Sequence, residues 1–398
     1  MRRFFLVFIF FLFFPCIVFP QVIIKPGIVI NRDNLESYVP SLKSMLPACA
    51  HKSLISGIQN GWITLPVVQN EKNYPCPKGF AKATKKYAGT CKIGPKNELI
   101  GYVAGIPFPE PKTGAQLAWN CFSEVRRQCS EDIEIYFNNL LFDKNSKKER
   151  SVDWILYKKK WKGRTDIPPI PEMPGEEEVL SKESIIVTDP FDAKGFAMIR
   201  IRFENIEKPD NVYSYIPAIR RIRRLTGSDL TDPLLGTDEV TDDFEVWRQK
   251  INPKMHFKFV GKSKYLVPKV YLERPSEPFL KGNLFQVEWE IRELMILEIK
   301  NEPDYAYSKR VIYSSSENNT YLLYNGENFD QKGRLHRSDV ILVQFADPET
   351  FYRSWHGTLR MDNLSGHSTV MLMYPDLTNK VNIPLSAFTM KYLLGQAR

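Results

Sequence analysis

The run IRIRFE at residues 199–204 decides the fold class of this 398-residue chain. Apolar side chains occupy every second position of the run, and charged side chains occupy the positions between them. Successive side chains of a strand point to opposite faces, so this alternation predicts a strand with one apolar and one polar face. The same pattern recurs at residues 255–259 and 285–292. We therefore predict a large antiparallel sheet with one apolar face.

The clearest helical pattern lies upstream of these strands, at residues 113–129. Thr113 and Gln116 form a T-x-x-Q capping box, in which each side chain satisfies a backbone donor of the other residue. Apolar side chains follow three and four positions apart, which predicts one apolar stripe about 16 residues long. We therefore predict a mainly β fold with helices, in which an antiparallel half-barrel curls around this apolar helix.

A half-barrel and a helix need not fill each other completely, and a cavity then remains between them. We predict an apolar cavity that binds a hydrophobic ligand. Its predicted lining comes from the helix and from two of the alternating strands: Trp119, Phe122, Phe257, Phe259, Phe285, Val287, Trp289 and Ile291.

A highly charged stretch, YIPAIRRIRRLTGSDLTDPLLGTDEVTDDF, occupies residues 215–244. It places four arginines in five positions and then a turn-rich acidic run. Because a guanidinium binds a carboxylate through two parallel hydrogen bonds, we predict a structural ion-pair seam within this stretch. The predicted seam consists of Arg220, Arg221, Arg223, Arg224, Asp229, Asp232, Asp242 and Asp243. The alternative is that the arginines form a mouth for an anionic lipid headgroup or an acidic partner.

The first 20 residues predict export. Arg2 and Arg3 precede an unbroken apolar run at residues 4–14, which is shorter than the roughly 20 residues that span a membrane. Residues 19–21 lack a small-x-small cleavage triplet, so an uncleaved membrane anchor stays open as the alternative to a signal peptide. An exported chain whose basic residues are otherwise dispersed is not expected to bind nucleic acid.

Five cysteines follow the predicted signal: Cys49, Cys76, Cys91, Cys121 and Cys129. An exported protein meets an oxidising compartment, which favours disulfides, and an odd count leaves at least one thiol outside them. We predict a disulfide between Cys76 and Cys91. Cys121 and Cys129 lie about 12 Å apart along the predicted helix, which is too far for a disulfide between them.

Motifs of catalysis are missing from the sequence. It contains no GxSxG, HExxH or P-loop pattern, and its five histidines show no paired spacing for a metal. We therefore predict that the protein is not an enzyme and has no metal and no cofactor. A cluster of ionisable groups inside a cavity would favour an enzyme instead.

Several blocks carry a family resemblance: residues 104–120, 161–165, 215–244, 309–337 and 388–393. In these blocks the chain resembles a family of exported bacterial proteins of unknown function, related to LolA-like outer-membrane lipoprotein-sorting proteins. At residues 314–316 the chain has three serines where relatives tend to carry an acidic residue. The resemblance implies a periplasmic protein of LolA-like fold with no catalytic residues.

The resemblance also implies a function, and the pattern along the chain predicts how its domain is organised. We expect a periplasmic carrier or chaperone for a lipid or other hydrophobic molecule, with an RND-type exporter and an outer-membrane β-barrel protein as partners. The alternative is a non-transporting envelope scaffold of the outer membrane. After the signal at 1–20, we expect one domain at 21–398. It would comprise a helix-rich front at 21–166, a proline-rich linker at 167–178 and a strand-rich half-barrel at 179–398.

Overall fold

The computed structural model describes residues 22–70, 74, 76–126, 131–272, 280–281, 284–375 and 382–396. The predicted signal peptide and Cys129 lie outside these residues. Across these ranges, every helix is too short or too polar to cross a membrane.

The α-helices are α1 (Leu35–Met45), α2 (Ala48–Gln59), α3 (Lys78–Lys86), α4 (Gly114–Cys121) and α5 (Met390–Gln396). The strands of the first half are β1 (Val29–Ile30), β2 (Ile63–Pro66), β3 (Lys92–Ile93), β4 (Leu99–Ile100), β5 (Asp132–Phe142), β6 (Lys148–Lys160), β7 (Val179–Asp189), β8 (Ala197–Phe203), β9 (Asn211–Ile216) and β10 (Arg221–Leu225). Those of the second half are β11 (His256–Pro268), β12 (Val270–Tyr271), β13 (Leu280–Lys281), β14 (Leu284–Gln286), β15 (Trp289–Lys300), β16 (Lys309–Ser315), β17 (Leu322–Phe329), β18 (Leu335–Ala346), β19 (Arg353–Asp362) and β20 (Ser368–Pro375).

One 14-stranded sheet dominates the molecule. Its order is β10-β9-β8-β7-β6-β5-β20-β19-β18-β17-β16-β15-β11, and these neighbours are all antiparallel. The short strand β12 pairs in parallel with β18. Within the described residues β10 and β11 do not pair with each other, so the sheet stays open. The prediction of a mainly β fold built on an open antiparallel sheet is confirmed.

Both faces of the large sheet are covered. Helix α4 and the irregular residues 237–251 pack on one face, which we call the α4 face. Helices α1 and α2 pack on the opposite face, which we call the α2 face. The core of this second face also includes Leu65 of the small sheet β1-β2-β14-β13.

The strands begin earlier in the chain than the sequence analysis expected. β5 and β6 lie within the segment 21–166, for which a helix-rich front was predicted, and they are among the longest strands. Buried and less buried side chains alternate along most of β5, with Ile133, Ile135 and Phe137 on the α4 face. The period-two signal was therefore present at residues 132–142, but polar side chains at its middle and the basic residues that follow obscured it.

Helix α4 is half as long as predicted. Its capping box is present: the Gln116 amide donates to Thr113 Oγ1 at 3.2 Å, and the Thr113 amide donates to Gln116 Oε1 at 3.3 Å. The helix ends at Cys121, and Phe122 adopts an extended conformation. The first residue of the helix, Gly114, packs directly against strand β11. A Cβ atom at this position would lie 2.4 Å from the backbone of Phe257. This position therefore requires glycine.

Candidate functional site

The predicted lining of the cavity is divided between the two faces of the sheet. Trp119 and Phe122 are buried in the core of the α4 face, and Phe257 and Phe259 pack partly against that core. Val287, Trp289 and Ile291 belong instead to the core of the α2 face. The side chain of Phe285 lies outside the described residues. Alternation in a sequence shows that one face of a strand is apolar, but it does not show which helix covers that face.

Residues 237–249, which we call the buried segment, fill much of the α4 face. They have no regular secondary structure, yet nearly all of their side chains are buried. Trp247 is fully buried, and a Cβ atom on Gly326 of β17 would lie 2.8 Å from Val246. The segment contains five buried carboxylates: Asp238, Glu239, Asp242, Asp243 and Glu245. A buried loop of this kind needs partners for its charges, because an unpaired buried charge is strongly destabilising.

Arginines from separate strands supply these partners. Arg310 of β16 binds Asp243 with 2.5 Å between Nη1 and Oδ1, and both side chains are fully buried. Arg200 of β8 lies 3.3 Å from Asp242. Arg360 of β19 binds Glu239 and also Asp339 of β18, the latter at 2.5 Å. The buried segment is thus anchored to three distant parts of the sheet.

Tyrosine hydroxyls complete this network. Tyr307 donates to Asp243 at 2.8 Å, and Tyr305 donates to Asp242 at 2.9 Å. Burial alone would raise the pKa of Asp243, but Arg310 and Arg360 overcome this effect and lower it. Burial raises the pKa of Glu239 to about 7, because the attraction of Arg360 only partly offsets desolvation and the neighbouring carboxylates add repulsion.

A small cavity of about 40 Å³ lies between the buried segment and strands β5–β8. Glu183, Arg200, Glu239 and Arg248 contribute to its lining. This is the arrangement of ionisable groups that would favour an enzyme, but its size argues against one. A volume of this order holds roughly three water molecules, whereas sites for organic ligands measure about 300–1,000 Å³. Its carboxylates also bind arginines, such as Arg248 to Glu183 at 2.5 Å. We therefore assign these ionisable groups a structural role.

The predicted ion-pair seam is distributed differently in the structure. Arg221–Arg224 are exposed on the edge strand β10, and Arg220 is exposed in the preceding turn. Of the predicted pairs, Arg223 lies 3.6 Å from Asp229, and the Arg223 side chain is 64% exposed. Asp232 is exposed, while Asp242 and Asp243 pair with Arg200 and Arg310. Sequence reasoning missed these buried arginines because alternation at residues 199–204 placed Arg200 on a solvent face, and because Arg310 and Arg360 lie in strands far from the charged stretch.

The thiols also differ from the expectation. Cys91 is a thiol that contacts the backbone oxygen of Gly101 at 3.7 Å, and the structure does not join it to Cys76. Cys121 is fully buried, and its Sγ donates to Ser314 Oγ at 3.4 Å. Burial raises the pKa of Cys121 to about 11, which keeps this thiol protonated and unreactive.

An apolar cavity of about 330 Å³ lies on the α2 face, between α2 and the sheet. Its apolar lining comes from β2, β5, β18, β19 and β20 and from the turn after α2: Trp62, Ile63, Leu140, Leu342, Leu359 and Val370. The side of α2 that faces it carries only Ser53, Ser56 and Gly57. Gly57 packs directly against Ile63, since a Cβ atom there would lie 2.6 Å from the Ile63 side chain, and the short side chains of Ser53 and Ser56 leave the neighbouring space unfilled. Sequence reasoning missed the site because it assigned the cavity to the other helix.

A second cavity, of about 360 Å³, lies beside α4. Trp119 and Phe122 border it, as predicted for the ligand site, but so do several charged side chains: Lys96, Glu98, Glu124, Lys162, Glu204 and Glu207. Lys96 binds Glu207 at 3.0 Å, and Lys162 binds Glu204 at 2.5 Å. This mixed lining suits an apolar ligand less well than the cavity under α2.

The sequence matches one protein-family model, described as "Protein of unknown function (DUF1329)", over residues 29–391. The chain matches no curated protein. Among solved structures it is similar to a DUF1329 family protein from Desulfovibrio piger, with 16% identity, a TM-score of 0.48, and coverage of 66% of this chain and 92% of that one.

Two further solved structures are similar. One is a putative outer membrane lipoprotein-sorting protein domain from Vibrio parahaemolyticus, with 16% identity, a TM-score of 0.47, and coverage of 66% of this chain and 91% of that one. The other is a LolA superfamily protein from Nitrosomonas europaea, with 13% identity, a TM-score of 0.44, and coverage of 71% of this chain and all of that one.

Proposed function

The chain belongs to the DUF1329 family, and we propose that this member carries a lipid or another hydrophobic molecule in the cavity between α2 and the sheet. The observation that supports this function is an unfilled space of about 330 Å³ with a mainly apolar lining. The space is a cleft that reaches exposed Ser56 and Lys148, and apolar clefts of this size are the usual sites of small-molecule binding.

The size and chemistry of the cavity fit an acyl chain. Ligand sites for small molecules begin at about 300 Å³ and are lined mostly by apolar side chains. An acyl chain that buries roughly 300 Å² of its surface gains about 7 kcal/mol from removal from water, before the loss of freedom on binding. Ser146 and Lys148 also line the cavity, at the turn between β5 and β6, and they place polar groups at that end for a headgroup.

We place this activity in the periplasm, and we propose an RND-type exporter and an outer-membrane β-barrel protein as partners. These assignments follow from the predicted export signal and from the resemblance of the sequence blocks. We propose no catalytic step and no cofactor. The alternative function is a non-transporting scaffold of the envelope, in which the cavity stays empty.

A cavity-filling substitution tests the carrier function. Ser53 is buried on the side of α2 that faces the cavity, so Ser53→Leu should place an apolar side chain in the ligand space. We expect the affinity for a fluorescent fatty-acid probe to fall at least about tenfold, while the melting temperature stays the same or rises. The matched control is Ser37→Leu, the same change at an exposed position of α1, which should leave probe binding unchanged.

The delipidated wild type provides the decisive comparison. If it binds no acyl probe at micromolar concentration, the carrier function is wrong and the scaffold alternative takes its place. Mass spectrometry of the protein purified under native conditions adds a second measurement, since a carrier should retain a lipid that Ser53→Leu loses.

A further inference from the structure

One end of the large sheet carries exposed apolar and basic side chains together. Strands β5 to β10 are consecutive antiparallel neighbours, so the turns β5–β6, β7–β8 and β9–β10 all emerge at the same end. The register confirms this, because Ala197, which starts β8, pairs with both Ile186 near the end of β7 and Tyr215 near the end of β9. We call residues 143–147, 190–196 and 217–222 the rim.

Two neighbouring turns of the rim expose large apolar side chains. Phe191 in the β7–β8 turn is 93% exposed, the highest exposure among the large apolar side chains that the structure describes. In the next turn, Ile219 is 57% exposed and Ile222 is 51% exposed. Single exposed apolar residues are ordinary, but such residues at two adjacent turn tips form a patch, and patches mark interaction surfaces.

Basic side chains lie beside this patch, mainly at the β9–β10 turn. Arg220 and Arg221 are exposed beside Ile219, and Lys194 is exposed in the turn of Phe191. The acidic side chains of the rim are partly engaged within the protein. Asp192 lies 3.4 Å from Arg150, and Asp143 accepts hydrogen bonds from backbone amides of its own turn. The exposed carboxylates Asp189 and Asp192 flank Phe191, so the positive charge at this end of the sheet is concentrated at Arg220 and Arg221 beside Ile219.

The β9–β10 turn also has an unusual backbone conformation at Arg220. Arg220 adopts φ = 51°, a left-handed conformation that is uncommon for residues other than glycine, asparagine and aspartate. Charged residues on an edge strand also prevent sheets from pairing edge to edge, and this explains part of the arginine run. It does not explain Phe191, which lies in a turn between two inner strands of the sheet.

We propose that the rim docks on the surface of an anionic lipid bilayer. Phe191 and Ile219 enter the boundary between headgroups and acyl chains, and Arg220 and Arg221 bind headgroup phosphates. Apolar burial together with attraction between arginine and anionic lipid is the combination that holds a protein on a membrane surface. The β5–β6 turn of the rim also lines the cavity under α2 through Ser146, so docking would bring that cavity to the bilayer.

Co-sedimentation with vesicles tests this surface. The full mature chain should bind vesicles of phosphatidylcholine mixed with phosphatidylglycerol, and high salt should weaken binding. The variant Arg220→Glu/Arg221→Glu should bind at least about twenty-five-fold more weakly, since each arginine contributes about fivefold near an anionic surface. The variant Phe191→Ser/Ile219→Ser should also bind more weakly, and its loss should persist at high salt.

The control variant changes the charge by the same amount at the opposite end of the sheet. Helix α3 packs against the β6–β7 connection through a hydrogen bond from the Gly79 amide to Asp166 at 3.0 Å. Lys82 and Lys85 of α3 are exposed, so Lys82→Glu/Lys85→Glu changes the net charge by the same amount away from the rim. This control should bind vesicles like the wild type.

Three outcomes would overturn the proposal. The wild type does not bind the anionic vesicles, or it binds pure phosphatidylcholine equally well, or the α3 control loses as much binding as the arginine variant. Unchanged melting temperatures exclude misfolding as the cause of a loss. Docking does not depend on the carrier function, since Ser53→Leu should bind vesicles normally even where it abolishes probe binding.

Discussion

One half of the charged stretch 215–244 is exposed in the structure, and the other half is buried. The arginine half forms the edge strand β10, whose arginines are exposed to solvent. The acidic half enters the α4 face, where Asp242 and Asp243 are buried. Most opposite charges that are neighbours in this stretch therefore do not become partners. Among the described residues, Arg223 with Asp229 is the one pair that forms within the stretch, and it lies at the surface.

The difference between the halves follows from their positions in the sheet. Strand β10 has one neighbour, β9, and four of its five residues are exposed. The buried segment instead crosses the α4 face and meets strands from both arms of the sheet. Its carboxylates bind Arg200 of β8, Arg310 of β16 and Arg360 of β19. These arginines become buried because the segment covers them.

The largest expected effect comes from breaking this buried network. The variant Arg310→Ala leaves Asp243 without its main partner in a fully buried site. We expect unfolding to become easier by about 3–5 kcal/mol, because the carboxylate remains buried without compensation. Denaturant unfolding measures the change. The matched control is Arg334→Ala. Arg334 pairs with Asp330 at the surface, where its own side chain is 56% exposed, so its removal should change the free energy of unfolding by less than about 1 kcal/mol.

An intermediate effect comes from the pH dependence of Glu239. Its pKa rises in the folded state from 4.5 to about 7, so between these values the folded protein binds more protons than the unfolded chain. The contribution of Glu239 to stability should therefore fall as pH rises through this window, by roughly 3 kcal/mol in total. Chemical denaturation at several pH values should show this slope in the wild type and a smaller slope in Glu239→Gln. Equal slopes in the two proteins would show that Glu239 is ionised throughout.

The sequence predicted the architecture better than the site. Alternation at 199–204 identified strand β8, and the capping box at Thr113 identified the start of α4. The same alternation assigned Arg200 and Arg202 to solvent, although both are buried. A strand pattern cannot distinguish water from a charged segment that covers the same face. Similarly, Ser53 and Ser56 of α2 border the cavity only because of what lies opposite them across the helix–sheet interface, and no periodicity in the sequence shows that.

The smallest expected effect comes from the exposed half of the comparison. Charge pairing at the protein surface contributes about 0–1 kcal/mol, because water screens it and both side chains lose freedom. Arg223 is 64% exposed and lies 3.6 Å from Asp229, so Arg223→Ala should lower the free energy of unfolding by roughly 0.5 kcal/mol or less. Denaturant unfolding of Arg223→Ala and Arg310→Ala under the same conditions compares the stability contributions of the two halves. A loss for Arg223→Ala as large as that for Arg310→Ala would mean that the hairpin packs against the body of the protein. The exposed arginines would then serve stability, and the division between a structural half and a free half of this stretch would be wrong.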